Sequence, residues 1–235
     1  MLYLIGLGLN ERGISKEGLL ALEKCKKVYL EGYTIDFPYN IDDLKLGKKK
    51  NKIIKLGRGE VESDKLIKEA KSVNIALLVY GSPLFATTHI SLILDAEKEN
   101  VRTKIIYSAS VFDALAETGL QLYKFGKIAS MPKQEASFLQ YVKENQSINA
   151  HSLILVDIGL SFQEAIDRLE KEIKKENIEI NKIIVCSRLG TCESKIFYGK
   201  INEQKKQKAK IQAPFCFIIP SELHFMEKEA LERVE

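Results

Sequence analysis

Met1-Leu2-Tyr3-Leu4-Ile5-Gly6-Leu7-Gly8-Leu9-Asn10-Glu11-Arg12-Gly13 opens the chain with an apolar run that stops at glycines. From Ser15 to Tyr29 the apolar positions Leu19, Leu20, Leu22, Cys25 and Val28 recur at helical spacing, and a second apolar run covers Lys27–Glu31. Strand, glycine turn, helix and strand in that order predict a βαβ unit, and with it a parallel sheet. The turn leaves the backbone open to a ligand, because glycines allow close approach at the carboxyl end of a strand. Glu31 stands about where a dinucleotide enzyme places its ribose-binding acid. However, Glu11 occupies the place of the third glycine of G-x-G-x-x-G, which leaves that fingerprint incomplete.

Working outward, Ile53–Leu56 reads as a strand, Ser63–Lys71 as a charged helix and Ile75–Tyr80 as a buried strand. That strand breaks at Gly81-Ser82-Pro83, where backbone N–H groups are expected to be exposed ahead of the helical pattern of Thr88–Lys98. Thr87 or Thr88 is suited to cap that helix. Lys104–Tyr107 is a further strand, leading through Ser108-Ala109-Ser110 into a helix that starts near Val111. In the second half, Leu153–Asp157, Ile183–Cys186 and Phe215–Pro220 read as strands, and Phe162–Lys175 and Leu223–Glu232 as helices. The expected fold is α/β, with two α/β domains at 1–110 and 111–235. Internal repeats and low-complexity tracts are absent.

Composition narrows the function. With 235 residues, 45% hydrophobic and 29% charged, the chain is expected to fold in water around a substantial core. Its longest apolar stretches fall far short of the roughly 20 residues of a membrane helix. The 36 basic and 32 acidic residues leave +4, much of the excess in Lys45–Lys52 and Lys200–Lys210, both read as solvated loops. Only six of the basic residues are arginine and tryptophan is absent, which argues against a nucleic-acid reader. The four cysteines form no CxxC pair, and no basic segment precedes a cleavage site, so reduced thiols in a cytoplasmic protein are expected. Cys186 and Cys192 match no zinc spacing, and no metal is expected.

No Ser-His-Asp order, H-E-x-x-H, Walker lysine or tight carboxylate pair is present. His89, His151 and His224 read as packed or solvent-facing side chains rather than bases. What survives is a chemistry that asks little of side chains, such as alkyl transfer from a preactivated cofactor, where the protein mainly aligns the reactants.

The residues also carry a family resemblance. Leu4–Leu9, Lys24-Cys25, Val28-Tyr29-Leu30-Glu31, Tyr33-Thr34, Pro83-Leu84, Ala86-Thr87-Thr88-His89, Thr118–Gly126, Ile218-Ile219-Pro220 and Leu223-His224-Phe225 together resemble the diphthine synthases. These form one branch of the tetrapyrrole-methylase-like group. The resemblance implies two α/β domains with S-adenosylmethionine in the cleft between them, usually within a homodimer. It implies repeated methylation of the amino group on a modified histidine of translation elongation factor 2. The compact length is similar to the archaeal form, whose product is the trimethylammonium compound, diphthine. By motif position, the implied cofactor contacts are Leu9, Ser82, Phe85, Ser110, Val111, Val156, Leu189 and Phe215.

This chain departs from the pattern in three places. Gly81-Ser82-Pro83 stands where the family usually has Gly-Asp-Pro, and Phe215 stands where a histidine is common. Tyr107-Ser108-Ala109-Ser110 replaces His-Asn-Ala-Ser but keeps small residues for close backbone approach. Leu9, Phe85, Val111, Val156 and Leu189 suit the flanks of adenine and the methionine chain, with polar contacts expected from the backbone of the two glycine turns. Tyr33 or Tyr107 is placed to favour a methylated cation by cation–π attraction.

Overall fold

A computed structural model describes residues 1–47, 52–133 and 137–234. They divide into two units, Met1–Val111 and Phe112–Glu235. The first alternates strands and helices: β1 (Leu2–Gly6), α1 (Lys16–Leu22), β2 (Lys27–Glu31), β3 (Ile53–Leu56), α2 (Arg58–Val61), α3 (Lys65–Ser72), β4 (Ile75–Val79), α4 (Ile90–Lys98) and β5 (Thr103–Ile106). The short helix α5 (Val111–Ala114) begins at its end. The five strands form one parallel sheet in the order β3-β2-β4-β1-β5.

β1 and β4 are buried along their whole length, as strands covered on both faces must be. Period-two alternation sorts their side chains between two core clusters. Leu2, Leu4, Leu77 and Val79 pack with Leu66, Ile67, Leu92 and Ile93 of α3 and α4. Tyr3, Ile5, Ala76 and Leu78 pack with Ala21 and Leu22 of α1 on the opposite face. Ser15 caps α1 by accepting from the Gly18 N–H at 3.1 Å. The helix ends at Leu22, short of the spacing read through Val28. Val28 instead reaches the core from β2, where it pairs with Ile53 and Ala76.

The second unit holds β6 (Ala129–Met131), α6 (Phe138–Ser147), β7 (Ser152–Val156), α7 (Phe162–Lys175), β8 (Ile183–Ser187), β9 (Lys195–Gly199), α8 (Ile201–Lys206), β10 (Phe215–Ile219) and α9 (Phe225–Glu232). Its sheet is mixed, in the order β6-β7-β10-β8-β9, with β6 parallel to β7 and the other neighbours antiparallel. A capping box between Ser161 and Glu164 starts α7, whose Phe162, Ile166, Leu169 and Ile173 cover the core around Val142, Ile154 and Phe217.

Two local expectations are corrected. Lys200–Lys210 is not a solvated loop: it contains α8 and a 3-10 turn at Lys208–Lys210. Glu203 accepts from the Lys200 N–H at 2.7 Å, Gln204 is buried, and the Lys205 ammonium lies 2.6 Å from both Asp167 and Glu170 of α7. In the other run, Lys45–Lys52, residues 48–51 lie outside the described residues. Neither Thr87 nor Thr88 caps α4; His89 holds the N-cap position, without a side-chain capping bond. Among the described residues, no helix is long and apolar enough to cross a membrane.

Candidate functional site

In the first unit, β4, β1 and β5 are neighbours running the same way, so the loops that follow them emerge at one end of the sheet. Gly8 and Gly81 take left-handed φ of +70° and +68°, open to glycine without strain. They also bond each other. The Gly8 N–H donates to the Gly81 carbonyl at 3.2 Å, and the Gly81 N–H donates to the Gly8 carbonyl at 3.0 Å. This narrows the expectation that the second glycine break exposes its N–H groups: the N–H of Gly81 is taken by Gly8 of the first turn.

The three loops are tied further. The Ser108 hydroxyl donates to the Gly13 carbonyl at 2.7 Å, and the Tyr80 hydroxyl donates to the Leu9 carbonyl at 3.1 Å. A Cβ built on Gly81 would meet only the Ala109 carbonyl at 3.8 Å and the Ser110 Cα at 3.9 Å, so the glycine faces a gap bordered by the loop after β5. Leu9, Ser82, Phe85 and Ser110 thus stand on three adjoining strand-end loops, and Val111 starts the helix that follows the third. Leu9 and Ser110 are buried, and the other three half-buried.

The loop after β4 is built around one carbonyl. Pro83 O accepts from the Thr87 hydroxyl at 3.0 Å and from His89 Nδ1 at 3.1 Å, while the Phe85 N–H donates to Ser82 O at 3.1 Å. Between them Ala86 sits at φ +51°, unfavourable for a residue with a Cβ.

Glu31 has a different job from the one its spacing suggested. Its carboxylate is fully buried and accepts from the Tyr33 and Thr34 N–H groups, each at 2.8 Å, and from the Thr34 hydroxyl at 2.6 Å. It closes a turn and does not face a ribose. Tyr33 stands edge-on to His89, with the Arg58 guanidinium 5.4 Å above its ring, so that ring already serves a cation of this chain. Burial pushes the Tyr33 hydroxyl up to about 12. Tyr107, by contrast, is 63% exposed.

In the second unit, Val156 ends β7, Phe215 begins β10 and Leu189 follows β8 by two residues. Register pairs Phe215 with Ser187 and Cys216 with Leu155, which brings all three to one end of that sheet. Leu189 and Phe215 are buried and Val156 is half-buried. The Phe215 ring packs edge-on to Phe162 and Phe217 at 5.7 and 5.9 Å, so its side chain belongs to the core. Cys186 faces Cys216 across the strand pair, and their hydrogen bond together with burial pushes the Cys186 thiol up. Cys192 is exposed. Among the described residues, no group of three or more His, Cys, Asp or Glu could hold a metal ion.

Sequence reasoning gave no role to Glu227, which is fully buried. Its carboxylate accepts from the Gln121 N–H at 2.9 Å, the Lys124 ammonium at 2.7 Å, His151 Nε2 at 3.0 Å and the His224 N–H at 2.8 Å. His151 Nδ1 accepts from the Ser221 N–H at 2.9 Å, so its proton sits on Nε2. The shared presence of Thr118–Gly126 and Leu223–Phe225 among the resemblance motifs was the available signal: Glu227 joins these two segments.

The chain thus joins a parallel sheet with glycine turns after β1 and β4 to a unit built on a mixed sheet, and comparison with known proteins defines its class. Residues 1–204 match the family of Tetrapyrrole (Corrin/Porphyrin) Methylases. The diphthine synthase of Methanocaldococcus jannaschii is 37% identical over 99% of this chain and 98% of its own. That of Methanococcus maripaludis strain S2 is 36% identical with the same coverage. A crystal structure of diphthine synthase superposes with a TM-score of 0.90 at 31% identity, covering 99% of this chain and 94% of the other. The chain belongs to the tetrapyrrole methylases and, within them, to the diphthine synthase family.

Proposed function

We propose that the protein transfers methyl groups from S-adenosylmethionine to the amino group of the modified histidine of translation elongation factor 2, three times over, yielding diphthine. Full-length kinship with diphthine synthases supports this reading over a tetrapyrrole substrate. The observation that carries the site is the Gly8–Gly81 bridge, which joins the loops of Leu9, Ser82 and Phe85, with the Ser108–Gly13 bond tying in the segment that leads to Ser110 and Val111.

The residues fit the cofactor. Gly81 faces a gap rather than a packed wall. Leu9, Phe85 and Val111 offer apolar surface to a nucleoside and a methionine chain, and Ser82 offers a hydroxyl acceptor where a carboxylate is usual. Within the second unit, Val156 and Leu189 offer apolar surface at one end of the sheet, and Phe215, its ring held in the core, offers main chain there. S-adenosylmethionine, when bound, supplies a methyl group on a sulfonium that is already a good leaving group. The work left to the chain is alignment and exclusion of water.

The three histidines are each committed to structure. His89 Nδ1 bonds Pro83 O, His151 joins Glu227 to the Ser221 N–H, and His224 Nδ1 accepts from the Met226 N–H at the start of α9. None is assigned as a general base; the substrate amine releases its proton to water before it enters the site. The same reading makes the protein a cytoplasmic homodimer acting on a protein partner, with no metal, membrane or nucleic acid required.

The test is incubation with elongation factor 2 carrying the unmethylated intermediate and labelled S-adenosylmethionine. Successive single-methyl mass increments on one histidine are expected. Transfer to a precorrin but not to the factor would overturn the reading. Gly81→Val, which places a β-branched side chain at φ +68° against Ala109 and Ser110, should abolish S-adenosylhomocysteine binding in calorimetric titration. Affinity surviving within a few-fold would remove this loop from the site.

A further inference from the structure

We propose that His89 is a positioning residue for the cofactor loop: its Nδ1–H, donated to the Pro83 carbonyl, holds the turn that carries Ser82 and Phe85. The inference rests on reading that turn as part of the cofactor site.

His89 is 2% exposed, with Nδ1 3.1 Å from Pro83 O. A carbonyl oxygen can only accept, so Nδ1 carries the proton. The turn needs such a hold, because Ala86 at φ +51° would relax toward a more favourable backbone unless its surroundings fixed it. Two donors converge on the same carbonyl, His89 from beneath the loop and Thr87 from within it.

The imidazole is itself held. Tyr33 lies edge-on to it at 6.5 Å between ring centres. The Tyr33 backbone is fixed by the buried Glu31 carboxylate, and Arg58 sits above the Tyr33 ring. His89 Nε2 is buried and has no hydrogen-bond partner among the described residues. Filling this space with an imidazole therefore leaves one polar atom unmatched, a cost that leucine of similar volume would avoid. The compensating gain is at Nδ1. Glu31, Tyr33-Thr34, Thr87 and His89, which carry the family resemblance without being cofactor contacts, thereby share one task.

Calorimetric titration with S-adenosylhomocysteine tests this. His89→Leu should weaken binding about tenfold, the loss expected for one buried hydrogen bond. It should raise the KM for S-adenosylmethionine in parallel, with the KM for the protein substrate within about twofold. His89→Asn, whose Nδ2–H stands where Nδ1–H stood, should bring affinity back to within about threefold of the native protein. In the ligand-free enzyme, nitrogen NMR should show a proton on His89 Nδ1.

An imidazole protonated on Nε2 alone would overturn the proposal. So would His89→Leu binding as tightly as the native protein, or His89→Asn no better than His89→Leu. If His89→Leu does not fold, Thr87→Val decides: weakening of about threefold is expected for loss of the second donor, and unchanged affinity overturns the proposal. Loss of binding in Gly81→Val with none in His89→Leu removes this inference alone. Native affinity in Gly81→Val removes the turn from the cofactor site, and both readings fall.

Discussion

Ala86 stores strain at a single residue. An L-residue held near φ +51° gives up roughly 1 kcal/mol, most of which glycine does not incur. Ala86→Gly should therefore stabilise the protein by up to about 1 kcal/mol, less the extra entropy of glycine in the unfolded chain. A higher urea midpoint at constant m-value would show it. Glu227 is the second residue whose surroundings set its behaviour. Burial alone would raise its pKa, but the Lys124 ammonium, the Gln121 N–H, His151 and the His224 N–H outweigh burial and bring it down to about 2. Burial pushes His151 below its ordinary value, against the pull of Glu227. In both cases the unfolded chain takes up a proton that the folded protein does not, so stability falls as pH falls. The loss from His151 begins near its unfolded pKa of about 6.5, and that from Glu227 runs from about 4.5 down to about 2, worth up to about 3 kcal/mol. Guanidinium midpoints measured across pH should decline from near neutrality and more steeply below about pH 4.5. Glu227→Gln should lose that steeper part, and an unchanged acid limb in the variant would refute the assignment. Neither residue's role was legible in sequence, since Glu227 acts on partners from three separate segments.

At the scale of elements, the strands of the first sheet were readable, its edges β3 and β5 included, whereas β6 and β9, the edges of the second sheet, were not. Ile75–Val79 and Phe215–Ile219 are continuous apolar runs because both faces are covered. β6 is only three residues long and exists because it pairs with Ile154–Val156 and because Asn145 clamps the chain ahead of it. Asn145, 1% exposed, accepts from the Lys127 N–H at 2.8 Å and donates to the Lys127 carbonyl at 2.8 Å and the Ser152 hydroxyl at 3.0 Å. Asn145→Ala should cost about 2–3 kcal/mol, because it leaves those groups unmatched in a buried place. Chemical denaturation measures it, and a cost under about half a kcal/mol would mean that β6 is held by strand pairing alone. α8 was hidden by its lysines. Its charge pattern resembles a loop until Asp167 and Glu170 on α7 are seen to receive Lys205.

For the whole molecule, a ligand that binds only the folded protein must raise its stability. S-adenosylhomocysteine at one hundred times its Kd should add about 2.7 kcal/mol, read as a higher calorimetric Tm, and Gly81→Val should show no such rise. A native protein whose Tm ignores saturating ligand would contradict the proposed site. The amino-acid sequence by itself determined the α/β class, the buried central strands, the glycine breaks at Gly6–Gly8 and Gly81, and the family. The first three follow from hydrophobic period and from residues that lack a Cβ, both local to the chain, and the family from the motif residues that resemble the diphthine synthases. Only the tertiary structure decided that the Gly8 and Gly81 peptide groups bond each other, that Glu31 closes a turn, that the Phe215 ring belongs to the core, and that His89 braces Pro83. Each of these depends on which partner satisfies a buried group, and that partner lies elsewhere in the chain, brought near only by folding.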